Sequence, residues 1–203
     1  MRREAQPGRK PSRWHVHLFA AVLCPVLAFT PAGAVTLPIA APAISQGEAA
    51  GADVEEDVAA RELGVFRAAE VSLLEAITIA GRQHAGARVA DVSFDGGAGA
   101  PVYRVRTVLA DQVWEDDVDA RTGAVSGRGH VLSLKKLEAE DRGNLMALKR
   151  VRQQLRDAVL IAEKAASGKA ISGGLIDADG KPTFIIFVVG GDDHLEQVTL
   201  GPP

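Results

Sequence analysis

The sequence predicts an α+β protein made of two copies of one unit, each a helix packed on a small antiparallel sheet of three to four strands. The segment Glu75–Val89 recurs 82 residues later as Asp157–Ile171. In both segments alanine and aliphatic residues recur at helical spacing before a glycine. Period-two alternation follows each helix and predicts strands. A helix laid on one face of such a sheet buries the apolar side of both.

The repeat extends beyond these two segments and keeps its order. The offset is 82 residues through the first strand and 81 after it, and the slip falls where GGAGA stands opposite ADGK. A turn tolerates the loss of one residue, so the ordered matches indicate an internal duplication. The matched pairs include Ala76 with Ala158, Ile79 with Ile161, Gly86 with Gly168, Tyr103 with Phe184 and Val105 with Ile186.

The first unit contains one helix and at least three strands. Ser72 and Glu75 have the spacing of a capping box, which predicts the start of the helix, and Gly86 fits its C-terminal end. The segments ARVADVSF, PVYRVRTVL and QVWEDDVDA alternate with period two and predict three strands. A short fourth strand is expected from Ala124.

The segment DARTG predicts a turn after the third strand, with Asp119, Thr122 and Gly123 as its structural residues. The carboxylate of Asp119 is expected to accept backbone N–H bonds within this turn.

The second unit departs from the first at its helix and at its end. Gln154 stands at the position of Ser72, so Ser133–Ala166 is predicted to form either one long helix or two with a break at Gly143. The second unit also lacks the DARTG turn. The predicted organisation is a signal peptide over residues 1–34, a flexible lead over 35–52, the first unit over 53–128, a helical linker over 129–144 and the second unit over 145–203.

The N-terminus has the order of a secretory signal peptide. Five Lys/Arg residues precede the apolar run Leu18–Phe29, and Ala32-Gly33-Ala34 follows as a cleavage site. The run of 12 residues is too short to cross a bilayer core of about 30 Å as a helix. We expect a periplasmic or secreted protein with no stable membrane span after cleavage; an uncleaved anchor is the alternative.

Composition and charge exclude several classes of function. Hydrophobic residues make up 47% and charged residues 24% of the 203 residues, which is typical of a chain with a packed core. The formal net charge is −3, and −7 without residues 1–34, so a nucleic-acid partner is not expected. The one cysteine, Cys24, lies in the predicted signal peptide, which excludes disulfides and thiolate chemistry from the exported chain.

The sequence contains no convincing catalytic or metal-binding constellation. His84, His130 and His194 lack the spacing of zinc ligands. The acids of WEDDVDARTG lack the alternation and closing Glu of a calcium loop. The glycines of DGGAGAP lie between two strands and not before a helix, so they predict a hairpin and not a phosphate loop. We therefore predict no enzyme activity, no cofactor and no metal.

The motifs SLLEAITIA, GARVADVSF, PVYRVRTV and VWEDDVDARTG together resemble a PepSY domain, and LRDAVLIAEKAASGKAI, DGKPTFIIFVV and LEQV resemble a second, shortened one. The resemblance covers residues 63–127 and 145–200. The second copy has Phe184 where the pattern has Tyr, and it lacks the closing motif. The resemblance implies an exported, non-enzymatic α+β module. Such modules occur in propeptides of thermolysin-like metallopeptidases and as stand-alone periplasmic proteins, with an inhibitory or peptidase-regulating role.

One sheet face is predicted to be charged in the first unit and apolar in the second. Arg104 and Arg106 alternate with core residues in VYRVRTV, whereas FIIFVV places apolar residues on the same side. An exposed apolar face of this kind is unusual on a soluble monomer. It is expected to be covered either by the helical stretch Leu134–Leu148 or the first unit, or by a second copy or another protein.

These features predict a non-catalytic protein that binds a protein or peptide in the cell envelope and restrains a peptidase, by docking a sheet face or a strand edge. The alternative is an envelope sensory or structural module that binds a small ligand or a metal ion between the copies. The residues expected to contact a partner are Ile185, Phe187, Val189, Leu175 (if its strand has no bulge), Arg104, Arg106 and Trp114.

Overall fold

The computed structural model describes residues 59–97, 99–126, 132–192 and 194–203. The chain divides into the units Met1–Ile44 and Ser45–Pro203, and the described residues belong to the second unit. The predicted signal peptide (1–34) and flexible lead (35–52) lie outside the described residues. No helix within the described part of the chain is long and apolar enough to cross a membrane.

The first half has the predicted order of helix and strands. Ser72 caps the main helix, and its side chain and that of Glu75 form both bonds of the capping box. An additional helix precedes this cap. The elements are α1 (59–67), α2 (Leu73–Gln83), β1 (Arg88–Asp95), β2 (Val102–Leu109), β3 (Gln112–Asp119) and β4 (Val125–Ser126).

The second half begins with two helices and not one. The break falls at Val151–Gln154, and Gln154 is the N-cap of the second helix without a side-chain capping bond. The predicted break at Gly143 is wrong, because Gly143 lies inside a helix that also crosses the predicted boundary at residue 144. The elements are β5 (Leu132–Ser133), a 3-10 turn (Leu134–Lys136), α3 (Ala139–Arg150), α4 (Leu155–Ala166), β6 (Lys169–Ala178), β7 (Lys181–Val189) and β8 (Leu195–Leu200).

The strands of both halves form one antiparallel sheet. Among the described residues the strand order is β4-β3-β2-β1-β6-β7-β8, with β5 also paired to β3. The α+β class is confirmed, but the sheet is larger than the three to four strands predicted for each unit. The reason is the pairing of β1 with β6 through Asp91↔Gly174, Val92↔Gly173 and Ser93↔Ser172, which joins the halves.

The two faces of the sheet can be assigned from the register, because directly opposed residues of antiparallel strands share a face. Val105, Val92, Gly173 and Ile186 form one row across the sheet. This side is called the core face, and Tyr103, Phe184 and Ile186 are fully buried on it. The other side is called the arginine face, and it carries Arg88, Arg104, Arg106, Asp91, Gly174, Ile185 and Phe187.

Helices cover parts of both faces. The Tyr103 hydroxyl donates to the Val71 carbonyl at 2.7 Å, which fixes the start of α2 over the core face, and α4 contacts α2 and β7. Helix α3 lies on the arginine face, because Arg88 donates to the Leu148 carbonyl at its C-terminal end. Helix α3 also contacts β6 and β7. Among the described residues, α3 therefore covers part of this face, which is one of the covers expected from the sequence.

Candidate docking surface

Arg106 lies at the centre of a charged cluster on the arginine face. Its register neighbours are Asp91 on β1 and Glu115 on β3. Arg106 Nη2 donates to Glu115 Oε1 at 2.8 Å, and Nη1 lies 3.7 Å from Asp141 Oδ2 of α3. Nε lies 3.8 Å from Asp91 Oδ2. The Arg106 side chain is only 8% exposed. The predicted charged face of the first unit is therefore not open to water at this position, because α3 covers it.

The three carboxylates around Arg106 outnumber its single charge. Burial raises the pKa of Asp91 to about 7, and the Arg106 charge opposes this shift only in part. Burial also raises the pKa of Asp141. Asp91 Oδ2 accepts no hydrogen bond from the described residues. The charge beneath α3 therefore changes near neutral pH.

Arg104 occupies a more open position on the same face. Its side chain is 50% exposed; it forms an ion pair with Asp95, and its Nε lies 3.9 Å from Asp117 Oδ1. Exposed pairs of this kind contribute little to stability because water competes for both charges. Arg104 is therefore the arginine of this face that a partner can reach.

The structure brings part of the predicted apolar patch to this face. Ile185 and Phe187 are half-buried, and Val189 is buried at 5% exposure. Their neighbours on β6 are small: Ile185 lies opposite Gly174, and Phe187 lies opposite Ser172. Phe187 also packs against the buried core. The binding role of these residues stays a prediction.

Leu175 does not lie on the arginine face. The tight turn at Asp179–Gly180, where both residues have positive φ, pairs Ala178 with Lys181. Leu175 therefore lies opposite Phe184, on the core face, and is 2% exposed. The expectation assumed a strand without a bulge, whereas the register of β6 shifts between Ala170 and Ser172.

Trp114 is also separated from the arginines. It lies opposite Thr107, on the core face, and its ring stacks on His84 with centroids 4.5 Å apart and planes at 18°. His84 is the C-cap of α2, and its Nε2 lies 2.9 Å from Oδ2 of the buried Asp116. The sequence did not indicate this contact, because Asp116 is 32 residues away from His84.

The turn after β3 has the bonding expected of it. Asp119 Oδ1 accepts bonds from the backbone N–H groups of Arg121 and Thr122 at 2.9 and 2.7 Å, and from the Thr122 hydroxyl at 3.0 Å. These bonds lower the pKa of Asp119, the one from the Thr122 N–H most of all. Gly123 follows with φ of +71°, a conformation that favours glycine.

Arg88 is an important residue that the sequence did not indicate. Its Nη1 donates to the carbonyls of Leu148 and Val151 at 2.6 Å each, and its Nη2 donates to Gln153 O at 2.7 Å. These carbonyls end α3 and form the link to α4, so one side chain of β1 holds the connection between the halves. The sequence predicted only that Arg88 lies at the start of a strand, and not that it bonds to these carbonyls.

The arginine face combines a charged part and an apolar part. Arg104 is half-exposed, and Ile185 and Phe187 are half-buried on the same face. Among the described residues, no group of three or more His, Cys, Asp or Glu is placed to hold a metal ion.

Residues 70–128 match the PepSY family model, described as "Peptidase propeptide and YPEB domain". The matched segment contains α2 and β1 to β4. A PepSY domain is therefore supported in the first half of the described chain, as the motifs of that half suggested, and the match does not extend to the second half.

No curated protein matches the chain significantly. A solved structure from Clostridium difficile 630, titled as that of a "putative lipoprotein", is 20% identical and has a TM-score of 0.39. The alignment covers 66% of this chain and 88% of that one. This score is too low to establish a common fold.

Proposed function

We propose that the protein is an exported, non-catalytic tandem PepSY protein that binds a protein or peptide partner in the cell envelope and regulates a peptidase. The family match over residues 70–128 carries the proposal, because its description names peptidase propeptides. The basic, apolar and small-residue segments of residues 1–34 support export.

The tandem arrangement is supported by the order of elements. The first half runs α2-β1-β2-β3 and the second runs α4-β6-β7-β8. In the sheet order the two sets of strands extend in opposite directions from the β1–β6 pairing. Duplication of one unit accounts for both this order and the sequence matches at offsets of 82 and 81 residues.

The proposed docking surface is the part of the arginine face around Arg104, Ile185 and Phe187. Arg104 supplies a half-exposed cation, and Ile185 and Phe187 supply partly exposed apolar area. Arg104 and Phe187 lie in one row of the face with Ser93 and Ser172 between them, so this surface suits an extended protein or peptide segment with an acidic group at some distance from an apolar anchor.

A pull-down with residues 35–203 from envelope extract tests this proposal, followed by assay of the captured fraction for peptidase activity. We expect wild type to capture a peptidase and slow its cleavage of a peptide substrate. Ile185→Lys with Phe187→Lys should remove both effects. The matched control is Leu160→Lys with Ile161→Lys, which replaces two apolar residues of α4 that are 46% and 48% exposed.

Thermal unfolding of each variant separates loss of binding from loss of folding. The proposal fails if the control loses capture as fully as the test variant, or if no captured fraction changes its peptidase activity. Arg104→Gln offers a second test that spares the apolar core, since this side chain is half-exposed. It removes the cation without placing a carboxylate opposite Asp117, so it should weaken capture while unfolding near the wild-type temperature.

A further inference from the structure

Strand β8 is a regular edge strand. It pairs with β7 without any register shift, from Phe184↔Leu200 to Val189↔Leu195. On its other side it has no strand neighbour among the described residues. Edge strands that avoid pairing carry bulges, prolines or several charges. Strand β8 has one charged residue, Glu196, and neither lysine nor proline, so its outer edge is open to another strand.

The opposite end of the sheet presents only two short strands, β4 and β5, of two residues each. The outer side of β3 pairs with β4 through Asp117↔Ser126 and Val118↔Val125. It also pairs with β5 through Gln112↔Ser133 and Val113↔Leu132. The two ends of the sheet therefore differ: among the described strands, β8 is the long regular edge, whereas two-residue edge strands are poor templates for strand addition.

The centre of the sheet shows that such strands join edge to edge. Strands β1 and β6 occupy the same place in the two halves, and they pair antiparallel through Asp91↔Gly174, Val92↔Gly173 and Ser93↔Ser172. The contact needs only three residue pairs and relates the halves by an approximate twofold axis. The same kind of contact can form between two chains if each chain has an edge strand whose outer side is unpaired.

We propose that β8 pairs antiparallel with β8 of a second copy of this chain, about a twofold axis at Val198. With the axis perpendicular to the sheet, the core faces of both copies lie on the same side of the joined sheet. A residue on the core face of one copy must therefore pair with a core-face residue of the other copy. Val198 then meets Val198, Gln197 meets Thr199, and Glu196 meets Leu200.

This register avoids unfavourable pairs. It places no Glu196 opposite Glu196, and like charges directly opposed destabilise a sheet. Gln197 and Thr199 are exposed in the single chain, where their side chains already lie 3.4 Å apart, so the same two residue types can hydrogen-bond across the new pair. Because a twofold contact uses the same β8 edge in both chains, association stops at a dimer and does not continue into a filament.

Sedimentation velocity on residues 35–203 over a concentration series tests the dimer. We expect the dimer fraction of wild type to rise with concentration. Gln197→Lys with Thr199→Lys places four lysines around the axis and should shift the protein to monomer, because like charges repel across the pair. The control, Gln83→Lys with Ala165→Lys, adds the same charge at exposed helix positions and should dimerise as wild type does.

Cross-linking tests the register. Residues 35–203 contain no cysteine, so a single introduced cysteine can form a disulfide only between chains. Opposed Cα atoms lie about 4.5–5.5 Å apart in antiparallel pairs, within the span of a disulfide. Val198→Cys should therefore give a covalent dimer on mild oxidation, and Ala165→Cys on exposed α4 should not.

The proposal is overturned if wild type stays monomeric throughout the series, as it would if another segment of the same chain covered β8. It is also overturned if the lysine variant dimerises like wild type, or if Ala165→Cys cross-links as fast as Val198→Cys. A monomeric result leaves the partner-binding proposal untouched, since that surface lies on the arginine face and not at the β8 edge.

Discussion

At the scale of single residues, the charges beneath α3 make the protein sensitive to pH. The pKa of Asp91 is about 7 in the folded chain against an ordinary value of 3.8, so the folded state binds this proton more tightly than the unfolded state does. The stability due to the proton is fully present below pH 3.8. It is lost as the pH rises through 7, because the buried carboxyl must then ionise.

Asp91→Asn should therefore stabilise the protein above neutral pH. Asparagine keeps the shape of the side chain without a charge, and a shift of this size corresponds to roughly 2–4 kcal/mol at pH 8. Urea unfolding at pH 5, 6, 7 and 8 measures the difference, which should shrink towards pH 5. Asp117→Asn is the control, because that carboxylate is 48% exposed on the same face. If Asp91→Asn is less stable than wild type at pH 8, the ionised carboxylate supports Arg106 instead.

Arg88→Met should destabilise the fold by roughly 2–4 kcal/mol, because three carbonyls lose charge-assisted hydrogen bonds. Methionine keeps much of the side-chain length and apolar packing. Arg88→Lys should recover only part of the loss, since an ammonium lacks the planar fork that reaches Leu148, Val151 and Gln153 together. Urea unfolding gives the loss, and amide exchange should rise first in the last turn of α3. Equal stability of Arg88→Lys and wild type would contradict this account.

At the scale of elements, two glycines at matched positions of the proposed repeat have different roles. Gly86 has φ of +81° and open space where a Cβ would lie. Gly86→Ala should therefore lower the free energy of unfolding only through backbone strain, by about 1 kcal/mol. A Cβ on Gly168 would lie 2.3 Å from the Val189 carbonyl oxygen. Gly168→Ala should therefore cost more, about 2–3 kcal/mol, because backbone must move. Denaturant midpoints of the two variants test the order, and the reverse order would contradict the packing argument.

The elements were predictable from sequence where the signal is local. Ser72 and Glu75 marked the start of α2, and alternation marked β1, β2 and β3, because each pattern lies within one element. The face of Leu175 could have been predicted from Asp179–Gly180, because an Asp-Gly pair is a strong signal for a two-residue turn and that turn pairs Leu175 with Phe184. One of the two alternatives predicted for Ser133–Ala166 has a break at Gly143, because glycine is a poor helix former, although packing of Leu145 and Leu148 holds that position helical.

The candidate surface was predictable only in part. Alternation in VYRVRTV and FIIFVV placed Arg104, Arg106, Ile185 and Phe187 on one face, because the side-chain period of a strand is two. Asp141 and Asp116 were missed, since their partners Arg106 and His84 are 35 and 32 residues away in sequence. Contacts at such separations are set by how helices dock on the sheet, which no local pattern encodes.

At the scale of the whole molecule, the two halves share one sheet and one core. Buried residues of α2, α4 and of strands from both halves belong to a single hydrophobic cluster. The pairing of β1 with β6 and the bonds of Arg88 add direct links between the halves. The sequence predicted two units but not the sheet that they share. Nothing in the sequence of β1 or of β6 indicates that these two strands pair with each other.

Unfolding of residues 35–203 should therefore be a single cooperative transition. Trp114 is the only tryptophan left once residues 1–34 are removed, and it reports on the first half through its stack with His84. Far-UV circular dichroism reports on both halves. Because the halves share a core, the urea curves from fluorescence and circular dichroism should coincide, and Arg88→Met should lower both midpoints equally. A fluorescence transition separated from the circular dichroism transition in wild type would show that the first half unfolds independently of the second.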